Sequence, residues 1–337
     1  MAYRAITIEQ NPLDYFLQPH SSVSPLQVGD VVLRANHDPK EIFARLIRVA
    51  TDSQWSHSAI VYLVSDPPQG FDNTYLVEAK TKGIHIVNWR SEVVPFDEFT
   101  VGIKRPLLDW YVETPYERAR HDPHDPEDTH GIAYLRHVRG IAMNQINGLY
   151  DNKTVYELTA LYAARVARRH LSQIPQVAEA ASTVADLFRK WDESDSSMFR
   201  FICSGLVQYS FFEALRRRIS NDLEIPEHRE AALSNLSNLH RIIYREDPEG
   251  IIPDYIEQVQ SGRLRIQDEP PEPVIDLLKT ALPADFNNSP NLQWRYAILD
   301  GDVWAIEEAP EGYVPRSEKE LQMLQLINPE HASDKEK

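Results

Sequence analysis

Among 337 residues there is one cysteine, Cys203. A lone cysteine has no partner for an internal disulfide and cannot build a zinc site of several thiolates. Two readings remain: a small buried hydrophobe, or a nucleophile. Cys203 stands in the run Phe201 to Tyr209, just before a helix expected from Ser204 to Arg218. Leu206, Val207, Phe211, Ala214 and Leu215 recur along one side of that helix. A sulfur at a helix start faces backbone N–H groups and the positive end of the dipole, which lower a thiol pKa and can hold an oxyanion. Ser204 and Gly205 are small, so a substrate can come close. A thiol also needs a base. His57, one of twelve histidines, opens a strand whose backbone would hold the ring rigidly. Alone, it reads equally well as a strand-edge histidine bonded to a carbonyl. Glu78 lies inside the apolar strand around Leu76, Val77 and Ala79. Strand alternation leaves it two placements: facing solvent, or buried against a partner such as His57.

The elements that must position these residues follow from apolar runs and turn signals. Gly29 to Leu33, Ser58 to Val64, Asn73 to Ala79, Lys82 to Val87 and Phe99 to Lys104 read as strands, with Gly83 at a turn. Helical spacing covers Lys40 to Ala50, Ile132 to about Ile146 and, interrupted at Pro175, Val155 to Lys190. Ile251 to Ile256 opens a short helix. Trp294 to Leu299 and Asp302 to Ile306 flank Asp300-Gly301, a hairpin signal. Residues 1–27, with Pro12, Pro19 and Pro25, read as an irregular arm. Pro270, Pro271 and Pro273 punctuate a linker, and the last residues read as a frayed tail.

The block Cys203 to Tyr209 is similar to the nucleophile motif of the NlpC-like branch of papain-fold cysteine peptidases. Val28 to Leu33 followed by Trp55 to Tyr62 resembles that superfamily's Gly-Asp strand and histidine strand. The cysteine block usually comes first, but here it comes last. The order His57, Glu78, Cys203 therefore resembles the circularly permuted NlpC-like group, related to lecithin–retinol acyltransferase. The resemblance implies an α+β, permuted papain-like fold, its antiparallel sheet packed on the nucleophile helix. It implies a catalytic region over 28–262 with a helical insertion at about 155–197, and leaves 263–337 as a C-terminal extension. It also implies a Cys203, His57, Glu78 triad. Tyr150, of the pair Tyr150-Asp151, is a candidate to position substrate or assist the oxyanion. Ser204 and Trp55 are further substrate-side candidates, as is His37. One departure is Gly205, where the permuted group often carries an acidic residue.

The implied activity is a cysteine hydrolase or acyltransferase acting on an ester or amide through an acyl-enzyme, with no metal or organic cofactor. Lipid acyl bonds are favoured over cell-wall peptide amides, because the 155–197 insertion would suit an apolar acyl pocket. A contrasting reading is an inactive papain-like scaffold that binds a partner. With 35 Lys plus Arg against 51 Asp plus Glu, the net charge is -16, which argues against non-specific nucleic-acid binding. No stretch approaches the ~20 apolar residues of a membrane span. The first residues, Met1 to Gln10, lack a signal-peptide run. A cytoplasmic start is expected, with signal-peptide-independent secretion as an antibacterial effector, and hence a cognate inhibitor protein, as an extension of that reading. The cluster of His121, Asp122, His124, Asp125, Asp128 and His130 does not match a zinc spacing and reads as a solvated loop. Arg216, Arg217 and Arg218 read as an anion grip or as a basic helix end.

Overall fold

Apolar and β-branched runs bounded by turns form the strands, and their pairing builds one sheet. The computed structural model describes residues 3–8, 15–16, 24–36, 44, 47–48, 51, 53–64, 73–80, 83–93, 99–122, 124, 128–146, 149–150, 200–310 and 312–327. The strands are β1 (Tyr3–Ile8), β2 (Val31–Asn36), β3 (His57–Leu63), β4 (Tyr75–Lys80), β5 (Gly83–Asn88), β6 (Phe99–Pro106), β7 (Leu149–Tyr150), β8 (Arg200–Phe201), β9 (Leu292–Leu299) and β10 (Asp302–Glu308). Eight of them form a sheet in the order β1-β10-β9-β6-β2-β3-β4-β5, every neighbouring pair antiparallel. β7 and β8 form a separate parallel pair.

The described helices are α1 (Trp89–Val93), α2 (Pro115–Ala119), α3 (Ile132–Asn144), α4 (Cys203–Leu223), α5 (Arg229–Ser237), α6 (Ile251–Gln260), α7 (Glu272–Lys279), α8 (Pro283–Asn288) and α9 (Glu318–Ile327). The fold is α+β. The central helix, α4, packs on β3 and β4 and is flanked by α3, α5 and α7. Alternate residues of the central strands enter two cores. Val31, Leu33, Ile60 and Val77 join Leu206, Val207 and Phe211 of α4, whereas Val32, Ala59, Val61 and Leu76 join Phe16, Leu26 and Trp89. Burial on both faces explains why Ala59, Ile60 and Val61 are continuously apolar rather than alternating.

Several expectations change. Residues 3–8 are not irregular: they pair with β10 as an edge strand. The Asp300-Gly301 turn has φ of 52° and 80°, the two positive values a two-residue type I′ hairpin requires. The hairpin it makes lies inside the main sheet, β9 pairing with β6, so the sheet draws strands from outside 28–262 at both ends. The proline-punctuated stretch starts α7, with Pro273 in the first turn, where a missing N–H costs nothing. The helix from Cys203 runs to Leu223, past Arg218. The insertion expected at 155–197 lies outside the described residues, as does most of the helix expected over 40–50. Among the described residues, no helix is long and apolar enough to cross a membrane.

Candidate active site

His57 is the first residue of β3. Ala59 pairs with Glu78 on β4, so the period of two puts His57 and Glu78 on the same face, diagonally placed. Diagonal neighbours are within reach of long side chains, and His57 Nε2 lies 2.7 Å from Glu78 Oε2. Glu78 is therefore buried against a partner rather than facing solvent: its side chain is 1% exposed, and that of His57 16%. The other carboxylate oxygen, Oε1, pairs with Lys80 Nζ, two residues along the same strand face. With Nε2 held by the carboxylate, Nδ1 is left for Cys203, with which His57 shares a hydrogen bond.

Cys203 is the first residue of α4, and Ile202 before it is extended and makes no side-chain cap. Helix starts normally carry Ser, Thr, Asp or Asn, whose side chains take up the free N–H groups. Here the first helical bond runs from Leu206 N to Ile202 O (3.0 Å), so the N–H groups of Cys203, Ser204 and Gly205 precede the ladder. The apolar cap supplies no side-chain acceptor for them, at the cost of helix stability. Ser204 is wholly buried. Its hydroxyl accepts a hydrogen bond from Ser58 Oγ at 3.2 Å and lies 3.6 Å from Cys203 Sγ. The backbone N–H of Ser58 also donates to the sulfur.

The charges follow from this packing. Burial alone would raise the Cys203 pKa; the charge and hydrogen bond of His57, with the Ser204 hydroxyl and the Ser58 N–H, outweigh it and bring the thiol down to about 7. Burial opposes a charged His57, but the Cys203 thiolate and the Glu78 carboxylate overcome it and raise the imidazole pKa. Burial opposes ionised Glu78 as well; the His57 hydrogen bond and charge, then Lys80, hold the carboxyl down at about 2. Acidic and basic groups thus alternate along the line Cys203, His57, Glu78 and Lys80.

The other candidates separate. Trp55 is wholly buried, its indole N–H bonded to Asn287 Oδ1 (2.9 Å) and its ring against Trp294. Its ring is enclosed by packing in this structure. The main chain of Tyr150 pairs with Phe201, two residues before the cysteine; its side chain, Asp151 and His37 lie outside the described residues. Gly205 is small for a different reason than substrate approach. A Cβ there would overlap the backbone carbonyl of Lys279, at the end of α7.

The described part of this loop is mostly exposed, as a solvated loop would be, and His121 and His130 close a clasp at its ends. His121 Nε2 lies 3.0 Å from both oxygens of Glu113, and His130 Nε2 is bonded to Tyr111 O at 2.9 Å. Among the described residues, no group of side chains is arranged to hold a metal ion. Arg216 and Arg217 pair with Glu213, and Arg218 with Asp222 and with Glu117 of α2, so this run braces α4 along its length and ties it to α2. Ser58 and Lys80 gave no signal in the sequence, because a serine and a lysine acquire a role only through the strand register and helix placement. Comparison of the chain with protein-family models, with curated proteins and with solved structures returned no match.

Proposed function

We propose that this protein is a cysteine hydrolase or acyltransferase that cleaves an ester or amide through an acyl-enzyme, on a permuted papain-like version of its α+β fold. The observation that carries the reading is the position of His57, bonded to Glu78 Oε2 at 2.7 Å on one side and to the only thiol on the other. Three residues distant in sequence converge in nucleophile, base and orienter order, with the nucleophile at an uncapped helix start.

In this mechanism His57 Nδ1 takes the Cys203 proton and the sulfur attacks the substrate carbonyl carbon. The N–H of Cys203, with its neighbours in the first turn, receives the negative charge on the carbonyl oxygen. His57 then returns the proton to the leaving alcohol or amine as its bond to carbon breaks, leaving a thioester. Water, or an acceptor hydroxyl or amine, gives a proton to His57 and attacks the thioester, and the thiol is regenerated. Glu78 keeps the ring oriented and its positive charge balanced in each half.

The order of the blocks, which resembles the acyltransferase-related permuted group, favours a lipid acyl bond as substrate. The experiment is incubation of the protein with lipid and peptidoglycan extracts, followed by mass spectrometry. Release of fatty acid, or transfer of an acyl chain, is expected, and should fall at least ~1,000-fold with Cys203→Ala. Released cell-wall peptides would move the substrate to amides. Undiminished turnover by folded Cys203→Ala would remove the mechanism.

A further inference from the structure

Besides His57, β3 brings a second residue to the thiol. Ser58 is wholly buried and lies on β3 next to the base; Ser204 is wholly buried and follows the nucleophile on α4. Ser58 Oγ donates to Ser204 Oγ at 3.2 Å, and Ser204 Oγ lies 3.6 Å from Cys203 Sγ. A hydroxyl has one proton. Because Ser204 accepts from Ser58, its own proton is directed elsewhere, and the sulfur is the neighbour in reach.

The structure assigns Ser58 as a positioning residue that acts through Ser204: it fixes the direction of the Ser204 O–H so that this hydroxyl donates to the Cys203 thiolate. The assignment rests on the reading of Cys203 as the nucleophile. Chained hydrogen bonds reinforce one another in a buried site, so the second donor strengthens the first. The relay also couples strand to helix. A small separation of β3 from α4 would lengthen the Ser58–Ser204 bond and free the Ser204 proton to turn away, weakening the thiolate even with His57 in place.

The test is the pH dependence of iodoacetamide alkylation of Cys203 in the full chain, for wild type, Ser58→Ala, Ser204→Ala and the double variant, with thermal melting to verify folding. The midpoint of the profile is read, not its amplitude, so a partly unfolded preparation does not mask the result. Both single variants are expected to raise the midpoint and lower alkylation below it by about three- to tenfold, the worth of one hydrogen bond. With Ser204 already alanine, Ser58→Ala should add nothing. A Ser58→Ala profile identical to wild type, or an equal shift in both backgrounds, overturns the relay. If Ser58→Ala does not fold, Ser58→Gly, which also removes the hydroxyl, takes its place. A wild-type midpoint at the ordinary thiol value would instead remove the nucleophile reading itself, and the relay with it. Readout at the thiol requires no knowledge of the substrate.

Discussion

A proton shared between Cys203 and His57 is governed by what surrounds each group. The thiol is brought down to about 7 chiefly by the imidazole, against its burial. Replacing His57 by Ala leaves burial as the dominant influence, so the thiol midpoint should rise above its ordinary value of 9.0. The pH profile of iodoacetamide alkylation checks this: reactivity at pH 6–7 should disappear, and reappear only in strong base or on unfolding. Glu78 makes a second prediction at this scale. Its folded pKa, about 2, lies below the ordinary 4.5, so the folded state binds fewer protons than the unfolded one between those values. The stabilisation is fully present above pH 4.5 and is lost as pH falls through 2; a gap of that size corresponds to about 3 kcal/mol. Thermal melting from pH 5 to pH 2 should be less pH-dependent in Glu78→Gln than in wild type. His57 and Glu78 are legible in the sequence because a histidine opening an apolar strand and a carboxylate inside one are unusual residues for their places. Ser58 and Lys80 are ordinary for theirs, and only the register Ala59↔Glu78 and the seating of α4 give them partners.

Elements meet the site at α4, and two contacts hold the neighbouring elements in place. Gly205 admits the Lys279 carbonyl of α7 against the first turn. Gly205→Ala forces backbone apart at that point and should cost about 1–3 kcal/mol, read as a lower melting temperature. Lys104, on β6, is wholly buried and donates to the carbonyls of Phe286 (2.7 Å), Asn287 (2.7 Å) and Ser289 (3.2 Å), at the end of α8. It also lies over the Trp294 ring. Lys104→Met would leave those acceptors without their donor, and a loss of about 2–4 kcal/mol is expected in urea, as a lower midpoint at unchanged slope. Strands are the readable elements here because their apolar runs are long and sharply bounded. Prolines conceal α7 and α8, since the same residue that ends a helix also suits its first turn. The Arg216 to Arg218 run resembles a helix end, but the Arg218–Asp222 pair at 2.7 Å carries α4 one further turn.

On the scale of the whole molecule, the sheet unites segments that the sequence presents as core and margins. The His-then-Cys order of the site is readable from the chain because each block is local. The union of the margins is not readable, because nothing near Tyr3–Ile8 or Leu292–Glu308 names a partner so distant in sequence. β9 covers the side of β6 away from β2, and Asn287 and Trp294 complete the surroundings of Trp55, two residues before His57. A chain ending at residue 262 should therefore lose cooperative melting; calorimetry of the truncated protein checks this.

The pairing of β1 with β10 has a consequence during synthesis. Arg4 and Glu307, 303 residues apart, lie side by side across that pair, with Arg4 Nε 3.1 Å from Glu307 Oε2. Contacts of such separation close late and slow folding. β1 must wait on the ribosome for β10, which is translated after Cys203. Cys203 is thus made before the complete sheet that carries β3 and β4 can close.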